Sequence, residues 1–362
     1  MSEISRVAGP GRGPHGVPAA IALSPILSAR YRSRDLERIR AAAPGSRLVT
    51  ISVEGLADGP VDDAEVLLRG FLGADAFDRL LARTPRLAWV HSATAGVERV
   101  LTPASRKRDL VITNARGVFS RPIAEYVLMM ILAVSRRLPQ LLELQRERTW
   151  QPLEGAELGD VTVGIVGMGS IGRAVATLAT AFGSRVIATR RRSEVGAAAA
   201  PDGERARDGS GGSGDSSGDE LVVDRILGPD GLPELLAESD FVVLAAPLTA
   251  ATEGLIDGPA LEAMKPGAWL INVARGRLVD ERALLRALRE GHIGGAVLDT
   301  FRDEPLPASS PFYDLDNVIV TPHTSWSSGR VLDRSVELFC ENLRRYAAGQ
   351  PLLNVVDPAA GY

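Results

Sequence analysis

Three polar residues each follow an apolar segment of the sequence, and their chemical types are complementary. Arg275 follows GAWLINVA, Glu304 follows GGAVLDTF, and His323 follows NVIVTP. Because neighbouring parallel strands end at one edge of a sheet, a cation, a carboxylate and an imidazole are expected to converge there. A 2-oxo acid needs a cation for its carboxylate and an acid to protonate its oxygen as hydride arrives. Arg275 fits the first role, His323 the second, and Glu304 would fix the imidazole tautomer. Taken singly, each could equally be a turn or surface residue.

The glycine spacing within VTVGIVGMGSIGRAVATLATAFGSRVIATRRR, residues 161–192, indicates a dinucleotide-binding turn. An apolar run precedes the glycines and an amphipathic segment follows them, which is the strand, turn and helix order that this fingerprint requires. Gly167 permits a tight turn, Gly169 lets the backbone approach a pyrophosphate, and Gly172 lets the helix pack closely on the strand. A glycine turn in an α/β protein without nucleotide is the alternative. The predicted cofactor contacts in this turn are Gly167, Met168, Gly169, Ser170, Ile171 and Gly172.

Three arginines, Arg190, Arg191 and Arg192, end the second apolar run of this segment. An NAD site usually carries an acid at this position to accept the ribose hydroxyls, whereas a cation pairs with a 2′-phosphate. We therefore predict a preference for NADP(H), with Arg190 and Arg191 among the contacts. Use of NAD(H) stays possible because Glu194, in the following segment, could supply an acid.

A loop of small residues, SATAGVERV, follows an apolar strand predicted at residues 87–91. Thr94, Ala95, Gly96 and Val97 offer backbone N–H groups next to a predicted helix start, and such groups can hold a carboxylate without a side-chain cation. Considered alone, the loop could equally be an ordinary strand-to-helix turn.

The surrounding pattern predicts two α/β regions. Uninterrupted apolar strands that alternate with helices indicate a parallel sheet covered on both faces. In the second region the strands are predicted at residues 240–246, 268–272, 294–299 and 318–321, with helices at 120–137, 259–264 and 280–290. In the first region the strands are predicted at residues 48–53, 65–68 and 87–91, with helices at 33–43 and 75–82.

Composition places the chain among ordinary globular proteins. Its 362 residues are 45% hydrophobic and 24% charged, and the net charge of -4 gives no general attraction to nucleic acid or to anionic membranes. Apolar runs stay short of the roughly 18 residues that a membrane span needs. The single cysteine, Cys340, is expected to pack in the core and fits a cytoplasmic protein. A flexible tail is predicted at residues 1–19 and a flexible insertion at 193–224, both poor in large apolar residues.

The motifs VGIVGMGSIG, PLTAATEGLID, INVARGRLVDERALLRAL, GGAVLDTFRDEPLP and VTPHTS resemble those of the D-isomer-specific 2-hydroxyacid dehydrogenase family. That family includes glyoxylate and hydroxypyruvate reductases, D-lactate dehydrogenases, phosphoglycerate dehydrogenases and formate dehydrogenase. The resemblance implies a Rossmann-type doubly wound parallel sheet at residues 117–325. It also implies a smaller flavodoxin-like α/β substrate domain built from residues 20–116 and 326–362, and a homodimer formed through the nucleotide domain.

The resemblance also assigns roles to individual residues. Arg275, Glu304 and His323 match the catalytic triad, and Asp299 matches the acid that contacts the nicotinamide amide. Thr94 to Val97 match the loop that binds the substrate carboxylate. Further cofactor contacts are expected at Pro247, Thr252 and Ala274.

The function predicted from these features is an NADP(H)-dependent reductase of a small 2-oxoacid, of the glyoxylate or hydroxypyruvate type. One alternative is an NAD enzyme like phosphoglycerate dehydrogenase, although little sequence follows a helix predicted at residues 332–348 and a regulatory domain is not expected. Another is a non-catalytic nucleotide-sensing scaffold or corepressor. No histidine or cysteine cluster has zinc-ligand spacing, so no metal is expected.

Overall fold

The computed structural model describes residues 16–26, 31–190 and 223–358. The chain divides into two compact units. The first unit holds the described residues of Met1–Phe119 and Ser327–Tyr362, and the second holds those of Ser120–Trp326. Most of the predicted tail and nearly all of the predicted insertion lie outside the described residues, as do Arg191 and Glu194.

The described elements follow one another along the chain in α/β order. The strands are β1 (Ala20–Leu23), β2 (Arg47–Thr50), β3 (Ala64–Arg69), β4 (Trp89–Ser92), β5 (Val111–Thr113), β6 (Thr162–Val166), β7 (Arg185–Thr189), β8 (Arg225–Leu227), β9 (Phe241–Leu244), β10 (Trp269–Asn272), β11 (Gly295–Leu298) and β12 (Val318–Val320). The helices are α1 (Ser33–Ala42), α2 (Ala74–Arg83), α3 (Pro103–Arg106), α4 (Ser120–Ser135), α5 (Leu138–Arg146), α6 (Ser170–Ala181), α7 (Leu232–Glu238), α8 (Gly258–Ala263), α9 (Glu281–Glu290) and α10 (Val331–Ala347).

The first unit is built on a parallel sheet of order β2-β1-β3-β4-β5, which is the flavodoxin-like strand order. Side chains of β1 alternate between the two faces, as the pleat of a strand requires. Ala20 and Ala22 join an apolar cluster with α2, whereas Ile21 and Leu23 join a second cluster with α1 and α10. Both faces are therefore covered. Cys340 lies in the second cluster and is buried, as predicted.

The second unit is built on a parallel sheet of order β12-β11-β10-β9-β6-β7-β8. This is the doubly wound order, and the chain reverses its direction of travel across the sheet between β6 and β9. An apolar cluster fills the space between the sheet and α7, α8 and α9, and α4 packs against α6. The predicted α/β class, with a Rossmann-type sheet and a smaller flavodoxin-like sheet, is confirmed.

Most predicted elements occur within a few residues of their expected bounds, and the end of α4 shows the physical reason for one small difference. A helix was expected at residues 120–137, but α4 ends at Ser135 and a separate helix, α5, begins at Leu138. Arg137 between them has a left-handed φ of 57°, and Pro139 stands in the first turn of α5. Proline cannot donate the backbone hydrogen bond that a continuous helix would need there.

Among the described residues, no helix combines the length and apolar character that crossing a bilayer requires.

Candidate active site

Gly167 directly follows β6 and has a φ of 105°, a conformation that strongly favours glycine. A Cβ at this position would lie 2.7 Å from the Cα of Ala246, which follows β9. The N–H of Gly167 donates to the carbonyl of Thr189 at the end of β7, at 3.3 Å. The turn is thus held between the ends of β7 and β9, at the point where ligands of doubly wound sheets usually bind.

Gly169 and Gly172 occupy opposite environments within the same turn. A Cβ added to Gly169, which precedes α6, would meet no atom within 4 Å, so the space beside the helix N-terminus is open. A Cβ on Gly172 would lie 2.2 Å from the carbonyl oxygen of Gly167, so this glycine permits the close packing of helix and turn. Ser170 and Ile171 belong to the first turn of α6, whose N–H groups lack acceptors within the helix. Met168 is buried. This cradle fits a pyrophosphate group.

The loops after β9 and β10 carry the remaining predicted cofactor contacts. The Thr252 hydroxyl donates to the carbonyl of Pro247 at 2.7 Å, and the N–H of Thr249 donates to Thr252 Oγ1 at 2.8 Å, which closes a tight turn after β9. After β10, the N–H of Ala274 donates to Asn272 Oδ1 at 3.1 Å. The first loop follows β9, which is the neighbour of β6 in the sheet, and the second follows β10, the next strand along.

Arg190 lies at the carboxyl end of β7, next to Thr189, whose carbonyl accepts the hydrogen bond from the N–H of Gly167. Its N–H donates to Leu227 at 2.9 Å, and its side chain is partly exposed. Within the described residues its guanidinium takes part in no hydrogen bond or ion pair. Arg190 therefore presents a positive charge beside the glycine turn.

The predicted triad residues follow β10, β11 and β12, which are neighbours in the sheet. His323 Nδ1 lies 2.8 Å from Glu304 Oε2, and the other oxygen of Glu304 accepts from the N–H of Phe301 at 3.0 Å. Partial burial opposes ionisation of Glu304. The hydrogen bonds from His323 and Phe301 and the charge of Arg275 outweigh this effect and hold the pKa of Glu304 below its ordinary value of 4.5. Glu304 is thus a carboxylate at neutral pH and accepts a hydrogen bond from the Nδ1–H of the imidazole.

Arg275 is brought toward this pair by the glycine that follows it, Gly276. A Cβ on Gly276 would lie 1.9 Å from the carbonyl carbon of Phe301, so the backbones after β10 and β11 pack against each other. Asn272 Nδ2 donates to the carbonyl of Arg275 at 2.9 Å, and Arg275 Nη1 donates to the carbonyl of Ala274 at 2.7 Å. These contacts fix the backbone of Arg275 at the sheet edge that also carries Glu304.

Asp299 is fully buried at the end of β11 and holds the loop that carries His323. One carboxylate oxygen accepts from the Thr321 hydroxyl at 2.6 Å and from the N–H of Thr324 at 2.8 Å, and the other accepts from the N–H of Ser325 at 3.0 Å. The resemblance assigned Asp299 a contact with the nicotinamide. The structure adds these three hydrogen bonds. The sequence motifs did not predict them, because they form between the segments that follow β11 and β12.

The candidate substrate loop belongs to the first unit and follows β4. Thr94 Oγ1 donates to the carbonyl of Gly96 at 2.7 Å, and Asn114 Nδ2 donates to that of Ala95 at 2.9 Å. Among the described residues, the N–H groups of Thr94, Ala95, Gly96 and Val97 donate to no acceptor, whereas the Val97 side chain is buried in the core. The expectation of an adjoining helix start was wrong, since α3 begins only at Pro103.

A further histidine, His91, lies within β4 of the first unit. The residue is fully buried, and its Nδ1 lies 2.8 Å from Thr113 Oγ1. Burial lowers the pKa of His91 to about 3, so the ring is neutral and serves the core of the first unit. Across the described part of the chain, no group of histidine, cysteine, aspartate or glutamate residues could hold a metal ion.

Comparison with known proteins decides the family. A family model described as D-isomer specific 2-hydroxyacid dehydrogenase, NAD binding domain, matches residues 128–207 and 216–325. A glyoxylate reductase of Korarchaeum cryptofilum is 32% identical over 332 residues, which cover 89% of this chain and 90% of that protein. This chain belongs to the D-isomer specific 2-hydroxyacid dehydrogenase family. The resemblance carried by the sequence motifs is thereby confirmed.

Other members of the family show how far the similarity extends. A D-3-phosphoglycerate dehydrogenase of Mycobacterium bovis is 35% identical over 308 residues, covering 84% of this chain and 53% of that protein, so the chain spans about half the length of such relatives. A solved family member from Xanthobacter autotrophicus Py2, in complex with NADPH and MES, has a TM-score of 0.78 at 32% identity and covers 95% of this chain and 100% of that one. An NADPH-dependent glyoxylate/hydroxypyruvate reductase from Sinorhizobium meliloti, in complex with NADP and sulfate, has a TM-score of 0.74 at 27% identity and covers 95% of this chain and 100% of that one.

The two environments in the glycine turn predict different outcomes for one added methyl group. Gly169→Ala should fold normally and bind NADPH or NADH roughly tenfold more weakly, because its Cβ fills the open space beside the helix N-terminus. Gly172→Ala is the matched variant, and its clash with Gly167 should cost about 1–3 kcal/mol of folding free energy. Thermal unfolding and fluorescence titration with each dinucleotide measure the two effects. A fall in melting temperature of equal size in both variants would contradict this assignment of the glycines.

Proposed function

We propose that this protein is a dehydrogenase that transfers hydride between NADP(H) and a small 2-oxoacid or D-2-hydroxyacid, of the glyoxylate or hydroxypyruvate reductase type. The observation that carries the proposal is the hydrogen bond of 2.8 Å between His323 Nδ1 and Glu304 Oε2, at the edge of the sheet that also carries Arg275. The similarity to a glyoxylate reductase over most of both chains supports the same reaction type.

In this proposal each polar residue has a separate task. A reduced nicotinamide, when bound, supplies the hydride. Arg275 pairs with the substrate carboxylate and polarises the carbonyl group. Because Glu304 is ionised, it can only accept a hydrogen bond, and the Nδ1–H of His323 is committed to it. Nε2 is therefore the nitrogen that delivers a proton to the carbonyl oxygen. In the first unit, the backbone N–H groups of Thr94 to Val97 are suited to a carboxylate.

The cofactor assignment rests on the glycine turn and on Arg190. Open space beside Gly169 accommodates a pyrophosphate, and Arg190 offers a cation for a 2′-phosphate at the end of β7. In the described part of β7, no carboxylate takes the position that would accept the ribose hydroxyls of NAD. The complexes of two solved relatives with NADPH or NADP are in line with this preference.

A second candidate function is that of a D-3-phosphoglycerate dehydrogenase, favoured by the 35% identity to the mycobacterial protein. A non-catalytic nucleotide sensor has less support, because sensing alone gives no reason for the contact between His323 and Glu304. A panel of 2-oxoacids assayed with both cofactors separates these candidates.

Purified protein should oxidise NADPH with glyoxylate or hydroxypyruvate faster than with 3-phosphohydroxypyruvate. His323→Ala should lower kcat roughly 10²- to 10⁴-fold, the usual contribution of a positioned acid, while the Kd for NADPH stays within about twofold. His292→Ala is the matched control, since His292 lies in the turn between α9 and β11 at the opposite edge of the sheet. Dinucleotide binding without turnover on any 2-oxoacid would favour the sensor, and unchanged kcat in His323→Ala would remove His323 from the mechanism.

Arg190→Ala should lower kcat/KM for NADPH roughly 10- to 100-fold, as expected for loss of a charge-assisted contact, and leave kcat/KM for NADH nearly unchanged. Arg185→Ala is the control, because Arg185 stands at the amino end of the same strand and pairs with Glu238. Steady-state kinetics with both cofactors measure the ratio. A wild-type preference for NADH would contradict the cofactor assignment.

We propose that the protein acts as a homodimer through the second unit, and the surface of α5 supports this assembly. None of the α5 residues is buried. Leu138, Leu141 and Leu142 are 45%, 39% and 42% exposed, and Trp150 beyond the helix is 97% exposed. Apolar side chains that recur at this helical spacing on an exposed face are typical of an interface.

Light scattering coupled to gel filtration should give twice the mass of one chain for the wild type and a monomer for Leu141→Glu, since a buried unpaired charge disfavours association. Phe182→Glu, at another exposed apolar position of the second unit, should remain a dimer. A monomeric wild type would refute the assembly.

We also propose a cytoplasmic location. Cys340 is buried, and burial raises the pKa of its thiol to about 11, so the thiol is protected from oxidation and the described residues contain no disulfide. Both features suit a reducing compartment.

A further inference from the structure

Tyr126 of α4 makes a contact that the proposed mechanism does not use. Its side chain is 9% exposed, and its hydroxyl lies 2.6 Å from Oγ1 of Thr321, the residue that follows β12. Thr321 is in turn 2.6 Å from Asp299 Oδ1. A chain of two short hydrogen bonds therefore links α4 to the carboxylate that holds the His323 loop.

The number of available protons sets the direction of this chain. The Thr321 hydroxyl has one proton, and a carboxylate can only accept, so Thr321 donates to Asp299. The phenol of Tyr126 must then donate to Thr321 Oγ1. Burial raises the pKa of Tyr126 to about 12, with a smaller contribution from the Asp299 charge, although the hydrogen bond to Thr321 acts in the opposite direction. The phenol thus stays protonated near neutral pH and remains a donor.

His323 needs support from its surroundings, since its φ of 50° lies in the left-handed region. This conformation is unfavourable for a residue that carries a Cβ. Asp299 holds the backbone immediately after it through the N–H groups of Thr324 and Ser325. The indole N–H of Trp326 donates to the carbonyl of His323 itself at 2.7 Å.

We propose that Tyr126 is a positioning residue for His323. By donating to Thr321, it directs the threonine proton to Asp299 and fixes the carboxylate orientation that keeps the His323 loop in its left-handed conformation. Tyr126 acts through Thr321 and Asp299 and touches neither the imidazole nor Glu304 among its described hydrogen bonds. The proposal rests on the proposed role of His323 as the proton donor.

Steady-state kinetics with NADPH and glyoxylate test the proposal in three variants. Tyr126→Phe should lower kcat about 3- to 10-fold, the value of one neutral hydrogen bond, with KM for glyoxylate and Kd for NADPH within about twofold. Thr321→Val should lower kcat at least as much, because it removes both bonds while keeping the side-chain shape. Thr321→Ser, which keeps the hydroxyl, should retain most of the wild-type kcat.

A double-mutant cycle distinguishes positioning from a general loss of stability. In the Thr321→Val background the added Tyr126→Phe change should have little further effect on kcat, because the chain is already broken. Tyr313→Phe is the matched control, since Tyr313 is 53% exposed and no hydrogen bond of its hydroxyl occurs among the described residues, and its kcat should equal that of the wild type. Independent, multiplying effects of Tyr126→Phe and Thr321→Val would overturn the proposal.

An NMR measurement separates failure of this proposal from failure of the proposed function. The imidazole ¹⁵N signals of His323, assigned by their loss in His323→Ala, should shift in Tyr126→Phe and stay in place in Tyr313→Phe. This readout needs no turnover, so an inactive wild type would refute the proposed reaction while the positioning of His323 is still measured. Unchanged His323 signals in Tyr126→Phe, together with unchanged kcat, would refute the role of Tyr126.

Discussion

The carboxylate of Asp299 is a charge buried at the end of β11, and the adjacent loop is arranged to solvate it. A buried carboxylate is unfavourable unless hydrogen-bond donors surround it. The Thr321 hydroxyl and the N–H groups of Thr324 and Ser325 supply three donors, at 2.6, 2.8 and 3.0 Å. Since these donors flank His323 along the chain, satisfying one buried charge also fixes the backbone that carries the imidazole. The chemistry of the site thus depends on an electrostatic requirement of the fold.

Close backbone contacts determine how the other loops meet this edge. Gly167 lies against the segment after β9, and Gly276 lies against Phe301 after β11, with no room for a Cβ at either position. Side chains at these two positions would push neighbouring loops apart. The glycine turn and the Arg275 loop are therefore placed by backbone packing, which is rigid, and the polar side chains need to adjust only locally.

Signals that are local in the sequence predicted much of this arrangement. Apolar runs predicted the central strands, glycine spacing predicted the nucleotide turn, and the residues after three adjacent strands predicted the polar cluster. Features that depend on distant parts of the chain were missed, since Tyr126 and Thr321 are 195 positions apart. The left-handed backbone of His323 has no local signature either, and the groups beside it donate to Asp299, which is more than 20 positions away in the sequence. Very short strands such as β5, which is three residues long, carry too few side chains to show the alternation of apolar and polar residues that predicts a strand.

The two units also differ in what they can recognise. In the second unit, side chains of defined charge and geometry follow the ends of adjacent strands, and the proposed chemistry is argued from their types. In the first unit, the loop at residues 94–97 offers backbone N–H groups, which can donate hydrogen bonds to any carboxylate and do not by themselves distinguish one acid from another. The loops after β2 and β3 share the carboxyl edge of that sheet, and Leu56 and Phe71 are 65% and 50% exposed there. Backbone donors alone therefore leave the choice among acids open, and the motifs of this sequence support a reaction type rather than one substrate.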